Sequence, residues 1–88
     1  VRPQTMQVLE WLADNTRPNG KMCCGFRPMV RDTGLERKQV RVACRLLKRK
    51  GLAEFHTALC DEDGYFHGSG YCVSSVGLDA FQNYKDSI

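Results

Sequence analysis

The chain contains no apolar run near the roughly 20 residues that a membrane-spanning helix requires, and no basic segment followed by an apolar stretch opens it. The cytoplasm is therefore the expected location. Val1 is not an initiator methionine, which leaves trimming or excision from a longer chain open. There is no Ser, His and Asp arrangement, no phosphate-binding glycine loop and no carboxylate cluster suited to a metal. No enzymatic activity and no cofactor are expected, and 88 residues leave little room for a substrate pocket. The five cysteines (Cys23, Cys24, Cys44, Cys60, Cys72) do not form the paired C-x-x-C knuckles of a structural zinc site. Reduced thiols packed in the interior are the expectation for them, with no metal.

Acidic residues are also missing from one long stretch. Between Glu36 and Glu54 there is none, while seven of the 13 Lys and Arg fall there: Arg37, Lys38, Arg41, Arg45, Lys48, Arg49 and Lys50. The net charge of +3 is modest, so it is the clustering that points to a polyanionic partner. Val40, Ala43, Cys44 and Leu47 recur at three- and four-residue spacing and predict a helix over Glu36 to Lys50 with that face buried. Arg37, Arg41, Arg45 and Lys48 fall on another face at the same spacing. Gly51 is placed to end the helix in the left-handed region, and Lys48 to Lys50 suit the negative end of its macrodipole. Upstream, Gly34 can take positive φ at a tight bend and Leu35 can fill the space between two helices.

Around this segment the chain reads as one domain with one small core. Met6, Val8, Leu9, Trp11 and Leu12 form an apolar stripe, which predicts a first helix over Gln4 to Ala13, followed by a turn from Asn15 to Gly20. Lys21 to Cys24 reads as a brief strand, with Cys23 and Cys24 facing opposite sides. Phe26 to Thr33 reads as a second helix, with Pro28 in its first turn and Met29 and Val30 toward the core. Leu52 to Cys60 and Tyr71 to Ser74 read as two strands of a hairpin whose long tip spans Asp61 to Gly70. Ser74 or Ser75 can cap a last helix running through Leu78, Ala80, Phe81 and Tyr84.

Two helices joined by a glycine turn, the second basic, then a hairpin and a short helix, resemble the winged helix-turn-helix domains of bacterial and phage transcription regulators, the MarR-like architecture included. The resemblance covers the whole chain and implies an α+β fold: a three-helix core, a β-hairpin wing and a short C-terminal helix. It implies a double-stranded DNA partner, with the helix Glu36 to Lys50 in the major groove. On that reading Arg37, Lys38, Gln39 and Arg41 are candidates for base edges, since Arg and Lys match guanine and Gln matches adenine. Arg27, Arg31, Arg45 and Lys48 are candidates for phosphates.

The wing departs from the family pattern. Asp61, Glu62 and Asp63 put negative charge where many relatives carry Arg or Lys, so the wing is expected either to stand away from DNA or to meet a protein. His67 is the one residue near the tip able to become cationic. Tyr65, Phe66 and Tyr71 are candidates for a partner-binding or self-association patch, or else for a lid over the core. Two other readings stay open: a protein-interaction module within a phage or replication assembly, and a metal or redox switch combining Cys23, Cys24, Cys60, Cys72 and His56.

Overall fold

The computed structural model describes residues 3–19, 21–57 and 69–86. Within them the order is α1 (Pro3–Asn15), α2 (Phe26–Thr33), α3 (Arg37–Arg49), β1 (Ala53–His56), β2 (Gly70–Val73) and α4 (Ser75–Asp86). The wing-tip residues Asp61, Glu62, Asp63, Tyr65, Phe66 and His67, and Cys60, lie outside the described residues, so the expectations placed on them do too.

The core follows from three apolar stripes. Val8, Leu9 and Leu12 of α1, Met29 of α2, and Val40, Cys44 and Leu47 of α3 are all at most 1% exposed, and Val73 of β2 joins them. Met6, Val30, Leu35 and Leu78 pack around this center. Polar ties also join the helices. The Trp11 indole donates to Asp32 Oδ2 at 2.8 Å, and Gln7 Nε2 donates to the Thr33 carbonyl at 3.0 Å, so α1 grips the end of α2 twice. Gly34 ends α2 with φ of 75° and its N–H on the Val30 carbonyl, the left-handed cap expected of it.

The basic helix runs one residue short of its expected span at each end, because Glu36 and Lys50 are its caps. Gly51 follows with φ of 78°, and the Leu52 N–H turns back onto the Leu47 carbonyl at 2.8 Å, which closes the helix and launches β1. β1 and β2 pair antiparallel, with Ala53 opposite Val73 and His56 opposite Gly70. Ala53, Phe55, Tyr71 and Val73 share the face turned to the helices, while Glu54, His56 and Cys72 share the other.

The segment before α2 differs from its expected form. Instead of a strand over Lys21 to Cys24 there are two isolated bridges, Arg17 with Met22 and Cys24 with Tyr71. Cys24 and Tyr71 exchange both backbone hydrogen bonds at 2.9 Å. Close approach is possible there because Gly70 lacks a side chain: a Cβ would meet the Cys24 carbonyl oxygen at 2.9 Å. Tyr71 is 8% exposed, between Phe26 at 5.8 Å and Phe55 at 4.9 Å between ring centers, and so belongs to the core rather than to an exposed patch.

Two hydroxyls join the helical and strand layers. Thr16 is fully buried, donates to the Leu12 carbonyl and accepts from the Val73 N–H at 2.8 Å, which fastens the end of α1 to β2. Ser74 caps α4 by accepting from the Gly77 N–H at 2.9 Å and donates to the Gly51 carbonyl at 2.6 Å. Its own N–H reaches the Leu52 carbonyl at 3.1 Å. Gly77 is the residue that lets α4 sit this close, since a Cβ there would lie 2.0 Å from the Leu52 carbonyl oxygen. Gly77→Ala is therefore expected to destabilise the domain by about 1 to 3 kcal/mol through overpacking. Urea unfolding followed by circular dichroism measures this, and an unchanged midpoint would show that the contact can relax at no cost.

Candidate nucleic-acid interface

Burying Val40, Ala43, Cys44 and Leu47 fixes how α3 is rotated about its axis. At about 100° per residue, Arg37, Lys48, Arg41, Arg45, Lys38 and Arg49 then fall in one continuous arc on the opposite side. All six are exposed. Among the described residues none of them is in an ion pair; Arg31 pairs with Asp32, and His56 is hydrogen-bonded to Glu54. A ladder of unneutralised cations on one helix face gives a strong local positive potential.

One edge of the arc rests on aromatic rings. The Arg37 guanidinium lies 5.7 Å from the center of the Phe26 ring, and Lys48 Nζ lies 5.9 Å from that of Phe55. These contacts sit within the range of cation–π attraction and steady two long side chains toward the hairpin side. On the other flank, Lys38, Val42, Arg45, Leu46 and Arg49 line a groove of about 570 Å³ shared with Gln4 and Thr5 of α1. Val42 is 54% exposed in the midst of the cations.

Two expected contacts are placed differently. Gln39 was expected at base edges, but its Oε1 accepts the Glu36 N–H at 2.9 Å as half of a capping box. Its side chain is turned to the start of α3, and half of its hydrogen-bonding capacity is committed there. Arg31 was expected to be free, but its Nε donates to Asp32 Oδ1 at 2.9 Å. This pair is exposed, so it is weak and open to exchange with a phosphate. Arg27 is exposed on α2 with no ion pair among the described residues.

Arg49, counted in the cationic cluster but absent from the contact candidates, stands four residues after Arg45 and eleven after Lys38 on the same face. Phe26 and Phe55 carry no periodic signal toward α3.

The cysteines divide. Cys44 is buried, with its thiol 3.7 Å from Met29 Sδ, and burial pushes its pKa up to about 12. Cys24 packs against the core. Cys23, His56 and Cys72 converge beneath the hairpin, with one ligand atom of each within 4.8 Å of the others. Burial pushes the Cys23 thiol up, against a smaller opposing effect of a hydrogen bond with Cys72. The His56 hydrogen bond holds the Glu54 carboxyl below the usual carboxylate range.

No protein-family model matches the chain, and no curated protein matches it. Its fold is matched among solved structures. A candidate DNA-binding protein of Ralstonia eutropha aligns with a TM-score of 0.72 at 18% identity, covering 96% of this chain and 96% of that one. A mutant of S. aureus MepR aligns with a TM-score of 0.69 at 14% identity, over 99% of this chain and 60% of that one. A MarR family regulator from Neisseria meningitidis aligns with a TM-score of 0.69 at 17% identity, over 99% of this chain and 54% of that one. The chain thus spans little more than half the length of these two regulators. Together with the glycine-turned helix pair and the hairpin, these matches define a winged helix-turn-helix domain. Its four helices and two-stranded hairpin follow the MarR-like arrangement. Among the described residues no helix is long and apolar enough to cross a membrane.

The link between α1 and α2 makes a pH prediction. Hydrogen bonds from Arg31 and then from Trp11 hold the Asp32 carboxyl below the usual aspartate range. With a depressed folded-state pKa, its contribution is present above the unfolded value and is lost as pH falls through the folded one. Trp11 is the single tryptophan, so its fluorescence is expected to step in acid, below the usual aspartate range. The step should vanish in Asp32→Asn. A step retained in that variant would mean another group is responsible.

Proposed function

We propose that the domain binds double-stranded DNA as a sequence-specific transcription regulator, with α3 in the major groove. The observation that carries this reading is the exposed arc of six cations on α3, unneutralised among the described residues, on the second helix of the helix-turn-helix. The likeness of the fold to structures described as DNA-binding or MarR family proteins supports it. Arg37, Lys38 and Arg41, in the first half of the helix, are assigned to base edges, and Gln39 is left to the cap. Arg27, Arg31, Arg45 and Lys48, joined by Arg49, are assigned to phosphates, which set affinity and register. Val42, apolar among them, suits a thymine methyl.

Regulation by such a domain requires no chemistry on the DNA, only occupancy of a site. The free energy comes from two sources: release of counterions when cations meet phosphates, and matched hydrogen bonds at base edges. The first is independent of sequence. The second is confined to the few side chains that reach the groove floor.

A fluorescence anisotropy titration with mixed-sequence duplex at two salt concentrations tests the first source without knowledge of the operator. Binding is expected to fall steeply with salt, and Arg45→Ala to reduce the magnitude of the log–log salt slope by about 1. On a duplex recovered by selection, Arg37→Ala and Arg41→Ala are each expected to cost about 1 to 3 kcal/mol of specific binding. Absence of binding at low salt would make the arc a solvated face and turn attention to a protein partner.

A further inference from the structure

We propose that Cys23, Cys72 and His56 form a zinc-binding site on the hairpin face turned away from the helices, separate from the cationic face of α3. The three residues come from different parts of the chain: Cys23 from the segment after α1, His56 from the end of β1 and Cys72 from the middle of β2. The register of the hairpin puts Cys72 opposite Glu54 and on the same face as His56. The Cys24–Tyr71 backbone bridge lays the segment carrying Cys23 across β2, which brings the third ligand into place.

The spacing suits a small tetrahedral ion. With zinc–sulfur bonds of about 2.3 Å and zinc–nitrogen bonds of about 2.0 Å, ligand atoms in a tetrahedron stand about 3.5 to 3.8 Å apart. The three here already lie within 4.8 Å of one another, so rotation of side chains closes the remainder. Two sulfurs and an imidazole are soft to borderline donors, which select Zn(II) over Mg(II) or Ca(II).

A carboxylate stands beside the ligands. Glu54 Oε1 lies 2.8 Å from His56 Nε2 and 3.5 Å from Cys72 Sγ, and accepts the Asn19 N–H at 3.0 Å. With Nε2 on this carboxylate, Nδ1 is the nitrogen left for the metal, the arrangement usual for a metal-bound histidine. Cys72 is buried while Cys23 and His56 are half-buried, so the cluster is closed from below and open to an entering ion. On binding, each cysteine thiol gives up its proton to solvent and its sulfur forms a bond to Zn(II), with no change of oxidation state. The ion would then join the segment after α1 to both strands of the hairpin.

The test uses the full chain, reduced and freed of metal, titrated with Co(II) as a spectroscopic stand-in and then with Zn(II). The expected result is saturation at one equivalent, with a thiolate-to-cobalt charge-transfer band and tetrahedral d–d bands, both abolished by Zn(II). Cys23→Ser and His56→Ala, checked for folding by circular dichroism, are expected to lose the band or to bind at least tenfold more weakly. Cys24→Ser, one residue away but packed on the core, is expected to bind as the wild type does. A wild-type protein without the band would overturn the site, as would a band unchanged in both Cys23→Ser and His56→Ala. Formation of a Cys23–Cys72 disulfide in air by a reduced protein that takes up no metal would replace it with a redox pair.

Discussion

The packing of the α3 apolar stripe against α1 and α2 is the constraint on which the rest of the molecule depends. Val40, Cys44 and Leu47 can leave water only in one rotational setting of the helix, and that setting decides which way every cation points. Hydrophobic burial therefore supplies the orientation, and electrostatics supplies the surface. Neither could do the other's part: exposed Lys and Arg contribute little to holding a fold, and a buried stripe offers nothing to a polyanion.

This division explains what could be read from the chain and what could not. The helices were legible because each carries its own periodic stripe and its own stop, as with Gly34 after α2 and Gly51 after α3. The hairpin strands were legible as types but not in their bounds, β2 running Gly70–Val73 one residue before its expected place, since pairing between β1 and β2 is set by contacts far apart in sequence. The segment Lys21 to Cys24 was misread as a strand for the same reason: its single bridge to Tyr71 depends on Gly70 permitting close approach. Gly77 carried no signal either, because a helical glycine announces a close neighbor only once the neighbor, the Leu52 carbonyl, is in place.

The candidate interface was legible as composition and only partly as geometry. Counting cations between Arg37 and Lys50 finds the surface. It does not show that Gln39 closes a capping box with Glu36, or that Arg31 is held by Asp32, since both depend on side-chain directions. The convergence of Cys23, His56 and Cys72 was harder still. A short metal motif places its ligands within a few residues, whereas here the hairpin register and the bridge to Cys24 bring them together.

Ser74 has a consequence for how the domain comes apart. Its hydroxyl and N–H together engage Gly51, Leu52 and Gly77, which belong to the end of α3, the start of the hairpin and the first turn of α4. Pulling α4 away would strip the partners from all three at once, in a place with little water to replace them. Opening at this junction is thus coupled across elements rather than a local fraying. The end of α3 and the start of α4 are therefore tied to open together, so that one cannot separate without exposing polar groups of the other.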